Sequence, residues 1–214
     1  MELYQSKPFY IDYNQEEYNF RKVIEEILEV SNLEQLHKEM NYNLFDREHD
    51  QSTVWHRRYY DNFEKFNEVY YNFIVNYIKP LLGVDKLVFQ KIPTFRVHLI
   101  GNLAVGEWHK DRTYNHGTSE VNFWMPFTHA YGNNSIWTES QEDLGDFASY
   151  EVKPGQIFVF NGANLSHGNK LNDTNHCRIS VDFRVVDFEK FKPSEKGSIN
   201  LNTPFDIGGY FDIV

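Results

Sequence analysis

The spacing of apolar residues changes once along the chain, near Asp85. Before that point they recur every three or four positions, the period that places them on one face of a helix. Phe20, Val23, Ile24 and Ile27 predict a helix that opens at Asn14, gains from Glu16 and Glu17 in its first turn and ends near Val30. A shorter helix is predicted from Asn32 to Met40, followed by a polar, turn-like stretch from Asn41 to Gln51. The longest periodic segment opens at Ser52 or Thr53 and carries Trp55, Tyr59, Phe63, Phe66, Tyr70, Phe73, Tyr77 and Leu81, with Pro80 and Gly83 as its stop. Such a stripe reads as a helix packed on a sheet, with His56-Arg57-Arg58 on its solvated face.

After Asp85 the period falls to two, which is the signature of strands. Strands are predicted at 86–90, 95–100, 107–111, 120–128, 135–138, 150–152, 156–160 and 177–186, separated by Asn-, Gly- and Pro-containing turns. No helical pattern intervenes. Short strands in this arrangement predict an antiparallel sandwich or jelly-roll barrel, so the fold class is α+β. We read one domain: 1–84 as mainly helical support, 85–186 as the core, and 187–214 as a packed tail. The tail is irregular but keeps Phe205, Tyr210, Phe211 and Ile213, so it packs on the body or on a second subunit of a homodimer. Residues 1–13 suit a short strand or an extended arm.

Charge narrows the partners. A net charge of -10 gives phosphate backbones no reason to approach, which argues against nucleic acid and for a small-molecule partner. Cys177 is the only cysteine, so no intrachain disulfide forms and a reducing compartment fits. The opening residues lack a basic segment followed by an apolar one, and no apolar run reaches the roughly 18 residues of a membrane span. A cytoplasmic protein away from the membrane is the expectation.

The candidate chemistry starts at Trp108-His109-Lys110-Asp111. In an extended segment residues i and i+2 share a face, so His109 and Asp111 can reach one metal ion. As a bare His-x-Asp the motif is weak, since this composition yields about half a match by chance. His167 strengthens it by following the strand 156–160 and its Asn161-Gly162 turn, where a neighbouring strand end could bring a second imidazole. Two His and one carboxylate with open positions opposite suit non-haem Fe(II). On the strand 177–186, Arg178, Ser180, Asp182 and Arg184 share a face, and a guanidinium with a hydroxyl there could hold a carboxylate. His98 reads as a hydrogen-bonded strand histidine, His116 and His129 as solvated, and Cys177 as a buried small apolar residue.

His109-x-Asp111, His167 and Arg178-x-Ser180 together resemble the signature of the Fe(II)/2-oxoglutarate-dependent oxygenases, which have a double-stranded β-helix (jelly-roll) core. The segments 121–128, 134–140 and Ser166-His167-Gly168-Asn169 further resemble the branch of streptomycin-biosynthesis oxygenase-like proteins, and the likeness runs from Pro93 to Val186. The resemblance implies that His109, Asp111 and His167 bind Fe(II), and that Arg178 and Ser180 hold the distal carboxylate of 2-oxoglutarate, with O2 as the other cosubstrate. It also implies that Asn122 contacts cosubstrate or substrate, and that Arg96, Trp137 and Glu139 lie on the substrate side. The expected reaction is hydroxylation of a sugar, aminocyclitol or amino-acid-like metabolite, because Asp111 leaves no corner for a halide. Two other readings stay open: a zinc hydrolase on the same barrel, and a non-catalytic jelly-roll module that binds sugar or protein.

Overall fold

The computed structural model describes residues 7–38, 49–105, 107–197 and 203–214. Its helices are α1 (Phe20–Leu28), α2 (Val54–Asp61), α3 (Phe63–Phe73) and α4 (Lys79–Leu82), with a 3-10 turn at Leu33–Lys38. α1 starts six positions later than the pattern predicts. Asn14 spends its side-chain oxygen on the backbone N–H of Glu16 at 2.9 Å, which makes a turn in place of a helix cap. The predicted helix from Asn32 to Met40 is the 3-10 turn, and its last two residues lie outside the described ones.

The long aromatic segment breaks once, at Asn62 (φ -116, ψ 21) between α2 and α3, and then runs on without interruption through a π turn at Ile74–Ile78 into α4. Pro80 does not stop it. A proline ring would crowd the carbonyl four residues back, and the wider turn just before Pro80 gives it room. Gly83 ends the path at φ 68, a left-handed conformation that lets its N–H reach the carbonyls of Lys79 and Pro80.

The strands are β1 (Phe9–Asp12), β2 (Leu87–Gln90), β3 (Thr94–His98), β4 (Val121–Pro126), β5 (Trp137–Thr138), β6 (Ala148–Ser149), β7 (Gln156–Phe160), β8 (His167–Gly168), β9 (Arg178–Asp187), β10 (Ser194–Gly197), β11 (Pro204–Phe205) and β12 (Phe211–Ile213). Seven of them form one antiparallel sheet in the order β1-β7-β4-β9-β2-β12, with β3 also on β9. β9 is the longest strand. β4 runs along one of its edges, while β3 and β2 divide the other, pairing His98 with Arg178 and Leu87 with Asp187. A smaller antiparallel sheet runs β6-β5-β8, and His109 joins it through a bridge to His167. The predicted strands at 107–111 and 150–152 shrink to isolated bridges at His109 and Val152.

Alternation along the strands decides what each face does. Phe95, Val97, Phe123, Met125, Ile157, Val159, Ile179, Val181 and Phe183 are buried against Phe20, Ile24, Ile27, Phe66, Tyr70 and Phe73 of the helices. Fully burying one such side chain contributes about 1.5–3 kcal/mol, so this layer is the main stabilising core. Tyr59 of α2 stacks on Phe95 at 4.5 Å, and the Tyr70 hydroxyl donates to the Gln90 carbonyl at 2.8 Å. His56 belongs to this layer and not to a solvated face, since it is 3 % exposed and bonded to Thr53 and Gln51.

The opposite face carries Arg96, His98, Asn122, Trp124, Phe158, Phe160, Arg178, Ser180, Asp182 and Arg184. Its apolar members pack with Ile136, Val152 and Leu165 from the smaller sheet's side. The polar members are left to face one another. The tail adds β12 to the edge of the main sheet against β2, and Phe205, Tyr210 and Phe211 close a small core with Val88 and Val186. No helix among the described residues is long and apolar enough to cross a membrane.

Candidate metal centre

His109, Asp111 and His167 converge, with one potential ligand atom from each lying within 4.8 Å of the others. His109 is held by the backbone bridge to His167, N to O at 3.0 Å in both directions. Lys110 between the two candidate ligands is extended, and Asp111 then opens a 3-10 turn (Asp111–Tyr114) with its N–H on the Gly162 carbonyl at 2.9 Å. An extended residue between them is what lets i and i+2 point the same way.

Each imidazole is oriented through its far nitrogen. His109 Nδ1 donates to the Glu107 carbonyl at 2.8 Å and His167 Nδ1 to the Leu165 carbonyl at 2.9 Å. That turns both Nε2 atoms inward, each 3.4 Å from Asp111 Oδ1. Asp111 is 3 % exposed. Burial works against its charge, but Arg184 and the hydrogen bonds from His109 and His167 hold the carboxyl well below its usual range. Its Oδ2 accepts from Arg184 Nη2 at 2.8 Å and from Asn122 Nδ2 at 2.8 Å.

Arg178 lies in the same pocket, whose volume is about 60 Å³ and whose walls also include Arg96, Asn122, Trp124, Phe160, Asn169, Asp182 and Arg184. It is 2 % exposed, and its guanidinium donates to the Asn134 carbonyl at 3.1 Å, Ser180 Oγ at 2.9 Å, Asn169 Oδ1 at 3.1 Å and His98 Nδ1 at 3.3 Å. No carboxylate among the described residues forms an ion pair with it. Burial, then the charge of Arg96, pushes its ionisation down to about 9. His98 is pushed down to about 3 by burial and then by Arg178. It is therefore a neutral ring that donates from Nε2 to the Asn102 carbonyl at 2.8 Å and accepts from Arg178.

The other sequence candidates divide. Arg96 lines the pocket and stands 3.5 Å from Asp182. Asn122 lines it too: one N–H of its amide goes to Asp111 Oδ2, which leaves the second N–H and a buried, unpartnered oxygen. Trp137 and Glu139 are absent from the pocket wall. Lys170 lies over the Trp137 ring at 3.3 Å, and the Glu139 carboxylate accepts from the N–H groups of Ser166 at 2.8 Å and Gly145 at 3.2 Å, fastening the loop between them. His116, expected in solvent, is half-buried against Phe205 and paired with Glu120 at 2.6 Å.

Sequence reasoning gave Arg184 a face but no role. The signal was its parity with Arg178 on one strand; its partner Asp111 could be known only once Asn122 of β4 is seen opposite Arg184. Asn169 and Asn134, which hold Arg178, carried no signal beyond lying in the segments that bear the family resemblance.

The fold recurs in solved structures of low sequence identity. It is shared with SnoK from nogalamycin biosynthesis, a non-heme alpha ketoglutarate dependent carbocyclase, at a TM-score of 0.63 and 14% identity, covering 99% of this chain and 94% of that one. It is shared also with EctD from S. alaskensis in its apoform (TM-score 0.53, 14% identity, 91% and 77% covered) and with CytC3, solved with Fe(II) and alpha-ketoglutarate (TM-score 0.52, 14% identity, 85% and 74% covered). No family model matches the chain. The chain belongs to the family of the streptomycin biosynthesis protein StrG of Streptomyces griseus, to which it is 44% identical over 170 residues, 78% of this chain and 80% of that protein.

Proposed function

We propose that this protein is an Fe(II)- and 2-oxoglutarate-dependent oxygenase that hydroxylates an unactivated C–H bond of a small metabolite. The observation that carries the reading is the pairing of two features in one pocket: a His109/Asp111/His167 donor set, and a buried guanidinium at Arg178 without an acidic partner among the described residues. The donor set fits Fe(II), because two neutral imidazole nitrogens and one carboxylate oxygen bind it without filling its sphere. Arg178 fits the distal carboxylate of 2-oxoglutarate, with Ser180 beside it to share the contact. A zinc hydrolase or a sugar-binding module leaves that guanidinium without a task.

Within this reading the two antiparallel sheets are the two layers of a jelly-roll, and His109, Asp111 and His167 hold the iron. Iron there would supply the oxidising chemistry, drawing on O2 and on decarboxylation of 2-oxoglutarate to succinate and CO2. The chain's own residues do the rest. The carbonyls of Glu107 and Leu165 hold the Nδ1 atoms and so aim both Nε2 atoms inward. Trp124, Ile136 and Phe160 wall the pocket with apolar surface that excludes water, and Arg96 faces the space left for substrate. SnoK's place in nogalamycin biosynthesis and the StrG relation support a sugar, aminocyclitol or amino-acid-like substrate.

The test is anaerobic addition of Fe(II) and then 2-oxoglutarate, with a weak visible charge-transfer band expected. Asp111→Ala and His167→Ala should abolish the band, and succinate release from fractionated metabolites should then identify the substrate. Absence of the band in the wild-type protein would overturn the proposal.

A further inference from the structure

The two oxygens of Asp111 are not equivalent. Oδ1 faces the Nε2 atoms of His109 and His167 at 3.4 Å each. Oδ2 is turned away and accepts three hydrogen bonds, from Arg184 Nη2 at 2.8 Å, Arg184 Nε at 3.2 Å and Asn122 Nδ2 at 2.8 Å. A carboxylate oxygen has about two lone-pair sites, so Oδ2 has none left for a metal.

Arg184 is itself held in place. Its Nη1 donates to the Tyr210 hydroxyl at 3.2 Å, Gln90 Oε1 at 3.2 Å and Asp182 Oδ2 at 3.4 Å, and Glu120 Oε2 lies 3.7 Å from its Nε. Tyr210 comes from the C-terminal segment, far from the metal candidates in sequence. It is 7 % exposed, its carbonyl accepts from Lys91 N at 3.0 Å, and the strand that follows it pairs with β2.

We propose that Arg184 is a positioning residue that keeps Asp111 a one-oxygen ligand, and that the C-terminal segment acts on the metal site by fixing Arg184 through Tyr210. This rests on the iron reading above. If Oδ2 were released, Asp111 could close on the metal with both oxygens and occupy a position that a chelating cosubstrate needs. Arg184 therefore governs how much of the metal's sphere stays open, which is a different task from binding the metal or the cosubstrate.

The experiment compares the wild-type protein with Arg184→Gln, Arg184→Lys and Tyr210→Phe. Fe(II) affinity is measured by anaerobic calorimetry, and 2-oxoglutarate affinity and band position by titrating the Fe(II)-loaded proteins. Arg184→Gln should keep Fe(II) binding within about tenfold while weakening 2-oxoglutarate roughly 10- to 100-fold and moving or erasing the band, the scale set by losing a contact that orients a ligand. Arg184→Lys, which keeps one charge-assisted contact, should recover part of that loss. Tyr210→Phe removes one hydroxyl and should weaken 2-oxoglutarate by a few-fold with a shifted band; it carries the test if Arg184→Gln does not fold. A wild-type band retained unchanged in position and 2-oxoglutarate dependence by Tyr210→Phe and by every folded Arg184 variant would overturn the positioning role alone. A wild-type protein that binds Fe(II) but shows no band, or does not bind it, would overturn the iron reading and this inference with it.

Discussion

Replacing Arg178 by Met keeps an unbranched side chain of similar length and removes only the charge and its donors. In the wild-type protein this guanidinium is 2 % exposed, and burial with the Arg96 charge pushes its ionisation down to about 9. A basic group whose ionisation is depressed costs stability wherever it is charged, so at neutral pH the whole penalty is present. A carboxylate that entered and paired with it would recover part of that energy. Breaking such a buried charge pair costs about 2–5 kcal/mol, so Arg178→Met should weaken 2-oxoglutarate roughly 30-fold to several thousand-fold. The stability of the ligand-free protein should move much less, because losing the buried charge offsets leaving the Asn134 carbonyl and Asn169 without their donor. Two assays separate these effects. Titration of the Fe(II)-loaded variant with 2-oxoglutarate reads the affinity, and urea unfolding with and without 2-oxoglutarate reads the stabilisation, about 2.7 kcal/mol in the wild type at a hundred times its dissociation constant. An affinity within threefold of wild type, with Fe(II) binding intact, would refute the assignment of Arg178.

Three further outcomes follow from the geometry around the metal candidates. His109 is raised above its ordinary 6.5, since the hydrogen bond to Asp111 and then the Glu107 carbonyl outweigh burial; its contribution to metal-free stability is therefore complete below pH 6.5 and lost as pH rises through the raised value, whereas metal affinity should rise over the same window by up to about tenfold per pH unit. Parallel urea unfolding and Mn(II) titrations across neutral pH should slope in opposite directions, and slopes of the same sign would sink this account. Gly162→Ala would place a Cβ 2.6–2.9 Å from the Asn122 amide, so it should cost about 1–3 kcal/mol and weaken metal binding by pushing Asn122 off Asp111; a variant with wild-type melting and metal affinity would show that Asn122 is not clamped there. Glu139→Gln should lower stability by about 1.5–3 kcal/mol through the Ser166 and Gly145 contacts while leaving 2-oxoglutarate binding unchanged, and a change in binding without loss of stability would return Glu139 to the pocket.

What could be read from the sequence was whatever depends on local period. The alternation of 177–186 put Arg178, Ser180, Asp182 and Arg184 on one face, and β9 keeps that assignment over its whole length. The helical stripe of Trp55 to Phe73 likewise points into the core. What could not be read depends on short elements and on contacts distant in sequence. β12 has three residues and β5 has two, too few for a period of two to show, so the tail looks irregular and the sequence carries no direction for Trp137. Asn14 was misjudged because the same side chain serves a helix cap and an Asx turn, and only the later chain decides between them. Arg184 shows the limit most sharply: its parity was visible, but the carboxylate it holds lies 73 positions away.

That separation also explains how the pocket is built. Arg178 and Arg184 share a face of one strand, and at about 3.4 Å per residue six positions set their backbones about 20 Å apart, so the two guanidiniums serve opposite ends of the pocket and do not compete for one anion. β9 is bonded along both edges, by β4 on one side and by β3 and β2 on the other, which holds it firmly within the sheet. His109, Asp111 and His167 come instead from a turn and a two-residue strand, and are joined to each other by a single bridge. Loose elements hold ligands accurately only when something rigid fixes them. Arg184 supplies that connection by reaching from β9 to Asp111, while the bridge and the Leu165 and Glu107 carbonyls fix the two imidazoles. A one-residue slip of β9 would turn Arg178 and Arg184 into the helical core together, and the guanidinium in the pocket and the hold on Asp111 would be lost in one step.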